Sequence, residues 1–187
     1  MNRRPAIRNL LIALAVFCLV LGVYLLGVHL AVHSRGHRDS ARFSRDSLRT
    51  VPELSLTDLN GGAIHTADYK NKVVLANFWA AWCVPCAEEV PQFIALQKKY
   101  KGQGLQVIGF SVDDDAQELQ SFYRKYQMNY PVVRSDIKLA DAFGGVLGLP
   151  TTFVIGRDSR IHTKHNGTTD FPVLEQEVVA LLKAAQN

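Results

Sequence analysis

The amino-acid sequence predicts an α/β protein whose main domain is a three-layer sandwich, with helices on both faces of a mixed central sheet. Apolar, strand-like runs alternate with amphipathic helical segments from residue 51 onward. Two of these runs are apolar enough for strands that are buried on both faces. In addition, 48% of the 187 residues are hydrophobic, which excludes a disordered chain.

The domain is predicted to begin with a β-hairpin. Residues 52–57 alternate apolar and polar side chains, and a turn at Asn60-Gly61-Gly62 leads to a second short strand at residues 63–66. The first buried strand covers residues 73–79. The helix after it covers residues 85–100, where apolar side chains recur at helical spacing.

The rest of the domain continues this alternation. An apolar run at residues 105–112 predicts a second buried strand, and Asp115 with Glu118 fits a capping box that opens a helix through Tyr126. The acidic run Asp113-Asp114-Asp115 lacks the ligand spacing of a calcium loop. A short strand at residues 131–134 and a helical turn at residues 138–143 follow. The last predicted elements are a hairpin with strands at residues 151–155 and 160–164, and a closing helix at residues 171–182.

The basic charge of the chain is confined to its N-terminal part. The whole sequence has a formal net charge of +4. Residues 1–50 contain eight arginines and two aspartates, so that residues 51–187 have a net charge of −2. Because a nucleic-acid-binding domain needs a basic surface, this balance argues against nucleic acid as a partner of the main domain.

Residues 10–32 are predicted to be a transmembrane anchor. This run contains no Asp, Glu, Lys or Arg, and as a helix it would span about 34 Å, enough for a hydrocarbon core of about 30 Å. A cleavable signal peptide is the alternative, but its apolar region is usually shorter, about 7–15 residues, and no A-x-A site ends this run. Residues 33–50 are rich in Arg and Ser and are predicted to be a flexible basic linker to the domain at 51–187.

The segment Cys83-Val84-Pro85-Cys86 carries the predicted chemistry. It lies between a predicted strand and the start of a predicted helix, where unpaired N–H groups and the helix dipole stabilise a thiolate on Cys83. Cys86 follows one turn later, close enough for a disulfide, and Pro85 suits the first helical turn.

Half of a four-ligand zinc site is the alternative for this pair. The only other cysteine, Cys18, falls in the predicted anchor, and the six histidines show no convincing paired ligand spacing. We therefore predict a redox-active cysteine pair, with no metal and no other cofactor.

The segment Phe78-Trp79-Ala80-Ala81-Trp82-Cys83-Val84-Pro85-Cys86, followed by Pro91, resembles the thioredoxin active-site segment. It resembles more closely that of the membrane-anchored TlpA/ResA/CcmG (DsbE)-type thiol-disulfide oxidoreductases. Gly148-Leu149-Pro150-Thr151-Thr152-Phe153 is similar to the second signature of this family. The resemblance covers about residues 51–182 and implies a thioredoxin-like fold with an N-terminal β-hairpin extension.

The resemblance implies a role for each matching residue. Cys83 would attack the substrate disulfide, Cys86 would resolve the intermediate, and Pro150 would be a cis-proline that presents backbone to the substrate. Pro91 would kink the helix, and the alternative is a helix that begins after it. The residues implied to contact substrate are Trp82, Val84, Pro85, Leu149 and Thr151.

The sequence departs from thioredoxin at position 77, where Asn replaces a buried Asp. Since Asn cannot titrate, proton transfer with Cys86 needs another group. Glu89 matches an acidic position in ResA-type proteins and is the candidate. The alternative, given equal weight, is that Glu89 is simply an acid favoured by the helix dipole.

The predicted reaction is thiol–disulfide exchange in the reducing direction, because Val84 and Pro85 place neither a charge nor an imidazole between the cysteines. The resemblance implies a DsbD/CcdA-type membrane electron donor, and clients such as apocytochrome c or another oxidised extracytoplasmic protein. We expect a monomer held in the inner membrane, with residues 1–9 in the cytoplasm and the domain on the periplasmic side. Counting flanking arginines alone slightly favours the opposite orientation.

Other functions remain open from the sequence. A copper metallochaperone on the same fold would carry CxxxC and a distant His, whereas this chain has CxxC. A disulfide oxidant or isomerase would use the same cysteine pair. A peroxidase would carry a threonine-led motif with a single cysteine, which is lacking here.

Overall fold

The structure is a computed structural model of the chain, and it describes residues 19–22, 49–113 and 115–184. The chain divides into two compact units, Met1–Ser44 and Arg45–Asn187. In the first unit residues 19–22 are helical, while the rest of the predicted anchor, residues 1–9 and residues 33–48 of the linker lie outside the described residues. Among the described residues, no helix combines the length and the apolar character needed to cross a membrane.

The second unit begins with a small antiparallel sheet of two strands, β1 (Ser55–Thr57) and β2 (Ala63–His65). The Asp58 carboxylate closes the turn between them by accepting hydrogen bonds from the N–H groups of Asn60 (2.9 Å) and Gly62 (2.6 Å). The predicted hairpin is confirmed, with strands shorter than predicted.

The central sheet contains five strands: β3 (Val73–Trp79), β4 (Leu105–Ser111), β5 (Val132–Arg134), β6 (Thr151–Ile155) and β7 (Ile161–Asn166). Their order is β5-β4-β3-β6-β7. Strand β4 is parallel to β3 and β5, whereas β6 is antiparallel to β3 and β7. This topology confirms the predicted mixed sheet.

The described α-helices of this unit are α1 (Val84–Tyr100), α2 (Ala116–Tyr126), α3 (Ile137–Ala142) and α4 (Phe171–Ala184). Helix α1 starts at Val84 and continues through Pro91, so the alternative of a helix beginning after Pro91 is wrong. Asp115 caps α2 by accepting hydrogen bonds from the N–H groups of Gln117 and Glu118, which confirms the predicted helix start.

Alternation along β3 divides the core into two layers. We call the side of Val73, Leu75 and Trp79 the cysteine face, because these residues share a cluster with Cys83 and Cys86 that α1, α2 and α4 cover. We call the other side the aromatic face, which α3 and the hairpin cover. It contains four rings whose neighbouring centroids lie 4.9–5.7 Å apart: Phe78, Phe110, Phe143 and Phe153.

Candidate active site

Cys83 and Cys86 form a disulfide, with their Cα atoms 5.2 Å apart. Cys83 is the N-cap residue of α1, and Cys86 lies in its first turn. The N–H groups of a first helical turn have no partner within the helix, and they point toward the N-cap. After reduction, these groups and the helix dipole would stabilise negative charge on the Cys83 sulfur. The two cysteines are only 6% and 2% exposed, respectively.

The carboxyl ends of β3, β4 and β5 meet at the sheet edge where the disulfide lies, because these strands are parallel. Two apolar side chains beside the cysteines, Trp82 and Val84, project into solvent and are 66% and 69% exposed. The segment before β6 reaches the same edge, since β6 is antiparallel to β3. In that segment Leu147 is 97% exposed. This edge therefore presents apolar surface to a binding partner.

A groove of about 620 Å³ lies at this edge, and its wall includes Ile137, Leu147, Gly148 and Leu149. A second cavity, of about 480 Å³, lies on the aromatic face, away from the disulfide. Because the groove runs to the residue before Pro150, we relate the groove rather than the second cavity to the chemistry of the cysteines.

The Leu149–Pro150 peptide bond is cis, as the resemblance implied. The Pro150 carbonyl accepts a hydrogen bond from Gly167 N–H (2.8 Å), and the Thr151 hydroxyl donates to the Gly148 carbonyl (2.7 Å). Thr151 is fully buried, whereas Leu149 is half-buried. The Thr151 side chain therefore shapes this loop from within, and Leu149 is the more open of the two toward a substrate.

Glu89 lies three residues after Cys86, on the same side of α1, and is only 2% exposed. Its Oε1 accepts a hydrogen bond of 2.5 Å from the backbone N–H of Thr169, while Oε2 has no partner among the described residues. Burial raises the pKa of Glu89, and the hydrogen bond from the Thr169 N–H and nearby His165 reduce that rise. The helix-dipole alternative does not fit this residue, because Glu89 is buried and lies beyond the first turn of α1.

Asn77 occupies the centre of β3 and is buried on the cysteine face. Its Nδ2 donates a hydrogen bond of 3.0 Å to Thr152 Oγ1 on the paired strand β6. This neutral amide joins two strands and has no proton to exchange at neutral pH. Glu89 is thus the buried acid that lies nearest to Cys86 along the chain.

Two residues near the disulfide were missed by the sequence analysis. Tyr130 is buried in the same cluster as both cysteines, and burial raises the pKa of its hydroxyl, with smaller contributions from Tyr123 and Glu89. Asp113 is also buried, and its carboxylate accepts hydrogen bonds from Ala81 N–H, just before the cysteines. Its position after β4, next to the end of β3, is the signal that could have identified it.

Two of the described histidines lie against carboxylates, and the third, His65, lies 3.0 Å from the Ser55 hydroxyl through its Nδ1. His162 Nε2 lies 3.1 Å from Asp158 Oδ1, and His165 Nε2 lies 2.8 Å from Glu177 Oε2. Within the described residues, no group of three or more His, Cys, Asp and Glu side chains could hold a metal ion.

Comparisons with known proteins agree with this geometry. Residues 48–164 match the sequence model of the AhpC/TSA family. Thiol-disulfide oxidoreductase ResA of Bacillus thuringiensis subsp. konkukian is 32% identical over 128 residues, which cover 68% of this chain and 74% of that protein. ResA of Bacillus subtilis is 36% identical over 119 residues, or 63% of this chain and 66% of that protein.

Among solved structures, a thioredoxin family thiol:disulfide interchange protein from Chlorobium tepidum TLS superposes with a TM-score of 0.68. It shares 26% sequence identity, and the match covers 72% of this chain and 97% of that one. The thioredoxin-like fold that the sequence predicted is thereby confirmed.

Proposed function

Because this chain belongs to the AhpC/TSA family and is a thiol-disulfide oxidoreductase of the ResA type, we propose that it is a membrane-tethered protein-disulfide reductase. The observation that supports the proposal most strongly is the Cys83–Cys86 disulfide, with Cys83 as the N-cap of α1. A disulfide at a helix N-terminus can be opened and closed reversibly, since the helix stabilises the thiolate that opening releases.

The reaction begins with the reduced pair. The Cys83 thiolate attacks one sulfur of a substrate disulfide, which forms a mixed disulfide and releases the other substrate sulfur as a thiolate. The Cys86 thiolate then attacks Cys83 in this intermediate. The enzyme disulfide forms, the mixed disulfide breaks, and the substrate leaves as two thiols, having gained two electrons in total.

Glu89 is our candidate for the group that moves the proton of Cys86. Cys86 must lose its proton before it attacks, and a buried carboxylate whose pKa is raised accepts a proton more readily at neutral pH than an exposed one. Glu89 has this environment, and it follows Cys86 by one helical turn.

The substrate is proposed to bind along the sheet edge around the disulfide. Trp82 and Val84 offer exposed apolar surface, Pro85 is half-buried between the cysteines, and Leu149 borders the groove before Pro150. Such a surface fits an extended protein segment with an apolar side chain near its cysteine. The family resemblance makes apocytochrome c our proposed client.

The location and the direction of electron flow complete the proposal. The uncharged run at residues 10–32 supports a membrane anchor, and the two uncharged residues between the cysteines support a reductant. A reductase outside the cytoplasm needs electrons from across the membrane, so a DsbD/CcdA-type donor is the proposed partner.

Substrate trapping tests the proposal. In a full-length Cys86→Ser variant the mixed disulfide with the substrate cannot be resolved. The native host should therefore yield covalent protein complexes that dissociate on addition of dithiothreitol. The matched control is the Cys83→Ser, Cys86→Ser double variant, which should retain none. Equal yields from the two variants would refute the proposed activity.

A measurement of the redox potential tests the direction separately. For the wild-type protein in glutathione buffers we expect a potential below the glutaredoxin range of about −200 to −230 mV. A potential of about −120 mV, as in strong oxidants, would show that the protein oxidises its clients instead.

A further inference from the structure

Asp113 makes an unusual set of contacts directly after β4. The Ala81 N–H donates to both of its carboxylate oxygens, at 3.0 Å to Oδ1 and 2.9 Å to Oδ2. The Ser111 hydroxyl donates to Oδ2 at 2.6 Å and accepts from the Asp113 N–H at 3.1 Å. In the three bonds that involve its side chain, the Asp113 carboxylate is the acceptor, and an ionised carboxylate can only accept. The residue is 5% exposed.

These contacts join the end of β4 to the segment that carries Cys83. The Cα atoms of Ala81 and Cys83 are two residues apart, and hence at most about 7 Å. The Cys83 N–H donates to the Ala80 carbonyl (3.2 Å), and the Val112 N–H donates to the Trp79 carbonyl (3.0 Å). The position of Cys83 at the start of α1 is thus coupled to the Asp113 carboxylate through one short turn.

The charge of Asp113 also bears on the thiol chemistry. A negative charge near a thiol disfavours the thiolate, while the N-terminus of α1 favours it. Salt screens a buried charge less than an exposed one, so the buried Asp113 carboxylate, one short turn from Cys83, still acts on its thiol in physiological salt. Asp113 and the helix N-terminus therefore act on Cys83 in opposite directions.

We propose that Asp113 is a positioning residue for the Cys83 thiol: its carboxylate holds the Ala81 N–H and so places Cys83, and its charge disfavours the thiolate of Cys83. The inference rests on the proposed function, in which Cys83 is the attacking thiol. It assigns Asp113 to the control of how much thiolate Cys83 carries at neutral pH. A residue that only stabilised the turn would leave that amount unchanged.

A substitution that removes the charge of Asp113 but keeps an acceptor oxygen separates its effect on the thiolate from its hydrogen bond to Ala81. Asp113→Asn does this, and Asp115→Asn is the matched control, because Asp115 is two residues away and bonds to the N-terminus of α2 instead. Both changes are made in full-length Cys86→Ser protein, so that Cys83 is the only thiol of its segment. The rate of Cys83 alkylation by iodoacetamide is then measured against pH, with the modified peptide identified by mass.

We expect Asp113→Asn to move the midpoint of this profile to lower pH and to raise the alkylation rate at pH 7 about threefold, relative to Asp115→Asn. A change in access alone would alter the rate by the same factor at every pH. The other titratable side chains packed around the cysteines, Glu89 of α1 and Tyr130 before β5, are the same in all variants. Identical midpoints for the two variants would overturn the proposal.

Hydrogen exchange of the wild-type protein tests the positioning role without any substitution. The Ala81 amide should exchange much more slowly than the amide of an exposed loop residue, and Asp113→Ala should abolish this protection. Exchange of wild-type Ala81 at the rate of an open loop would overturn the proposal even if the variants failed to fold. Neither measurement involves a client, so their outcome is independent of substrate trapping.

Discussion

The two faces of the central sheet are both buried and both contain contacts between aromatic rings, such as Phe93–Phe171 on the cysteine face and Phe78–Phe110 on the aromatic face, but they differ in the polar groups that they bury. The cysteine face holds the disulfide. Four buried polar atoms of this face and of the segments that cover it lack a hydrogen-bond partner among the described residues: Trp79 Nε1, Glu89 Oε2, Tyr130 Oη and Thr169 Oγ1. The aromatic face holds a cluster of phenylalanine rings in mutual contact. Adjacent residues of the same strand, such as Phe78 and Trp79, belong to opposite faces.

This difference shows how a small domain can combine stability with reactive groups. A buried polar atom without a partner costs about 1–3 kcal/mol, so a face that contains several of them is less stable than an apolar one. Contacts between aromatic rings add about 0.5–1.5 kcal/mol each beyond the burial of their area. We infer that contacts between aromatic rings, which occur on both faces, offset part of the cost of the polar groups that the cysteine face buries.

The largest expected effect is the loss of activity when the attacking cysteine on the cysteine face is replaced. Cys83→Ser should reduce the rate of disulfide reduction to background, because a serine hydroxyl is not ionised at neutral pH and cannot replace the attacking thiolate. The measurement is the reduction of a model protein disulfide by the full-length variant. Cys18→Ser is the control and should keep full activity; a comparable loss in that control would contradict the assignment to Cys83.

The next largest effect concerns the aromatic face, where we expect a substitution to lower the stability of the protein rather than its activity. Phe110 is fully buried and stacks on Phe78, with ring centroids 4.9 Å apart. Phe110→Ala should lower the free energy of unfolding by about 3–5 kcal/mol, measured in urea, because it leaves a cavity. Phe110→Leu should cost less. If the redox potential of the folded Phe110→Ala protein changed strongly, the proposed division between the faces would be wrong.

A smaller effect is expected on the cysteine face from Glu89→Gln. Burial raises the pKa of Glu89, so the folded protein keeps this proton to a higher pH than the unfolded chain does. The stability linked to Glu89 is therefore present at low pH and is lost as the pH rises from about 4.5 through the raised pKa. Gln has no proton to lose, so the variant should show less loss of stability between acidic and neutral pH.

The same variant should slow disulfide exchange at neutral pH by about 10²-fold, the lower end of typical proton-transfer effects. Glu88→Gln is the matched control, since Glu88 is the exposed neighbour on α1. Unfolding curves at several pH values and exchange rates at pH 7 are the measurements. Equal behaviour of the two variants would exclude a special role for Glu89.

The smallest effect should come from the helix that covers the aromatic face. Asp136 caps α3 by accepting a hydrogen bond of 2.8 Å from the Leu139 N–H. Asp136→Ala should cost about 1 kcal/mol of stability, and Asp136→Ser should recover most of it. Thermal unfolding measures both. No difference between the two variants would mean that packing of Leu139, and not the cap, holds this helix in place.

The order and the type of the elements were predictable because they depend on local patterns. The apolar run at residues 73–79 coincides with β3, and the helical periodicity after Pro85 coincides with α1 to within one residue. Asp115 marked the start of α2 because capping is a contact between near neighbours. The spacing of Cys83 and Cys86, together with their position at a predicted helix start, predicted that they could pair as a disulfide.

The surroundings of these cysteines were decided by the tertiary structure. Glu89 is buried against Thr169, a residue 80 positions away, and only packing could distinguish it from the exposed Glu88. In the sequence, Asp113 is one member of an acidic run. Only the parallel pairing of β3 and β4 places it beside Ala81. By itself, then, the sequence determined the fold, the family and the pairing of Cys83 with Cys86, since spacing and periodicity act between near neighbours. The tertiary structure decided which acids are buried, because burial and hydrogen bonding between distant segments exist only after the sheet has formed.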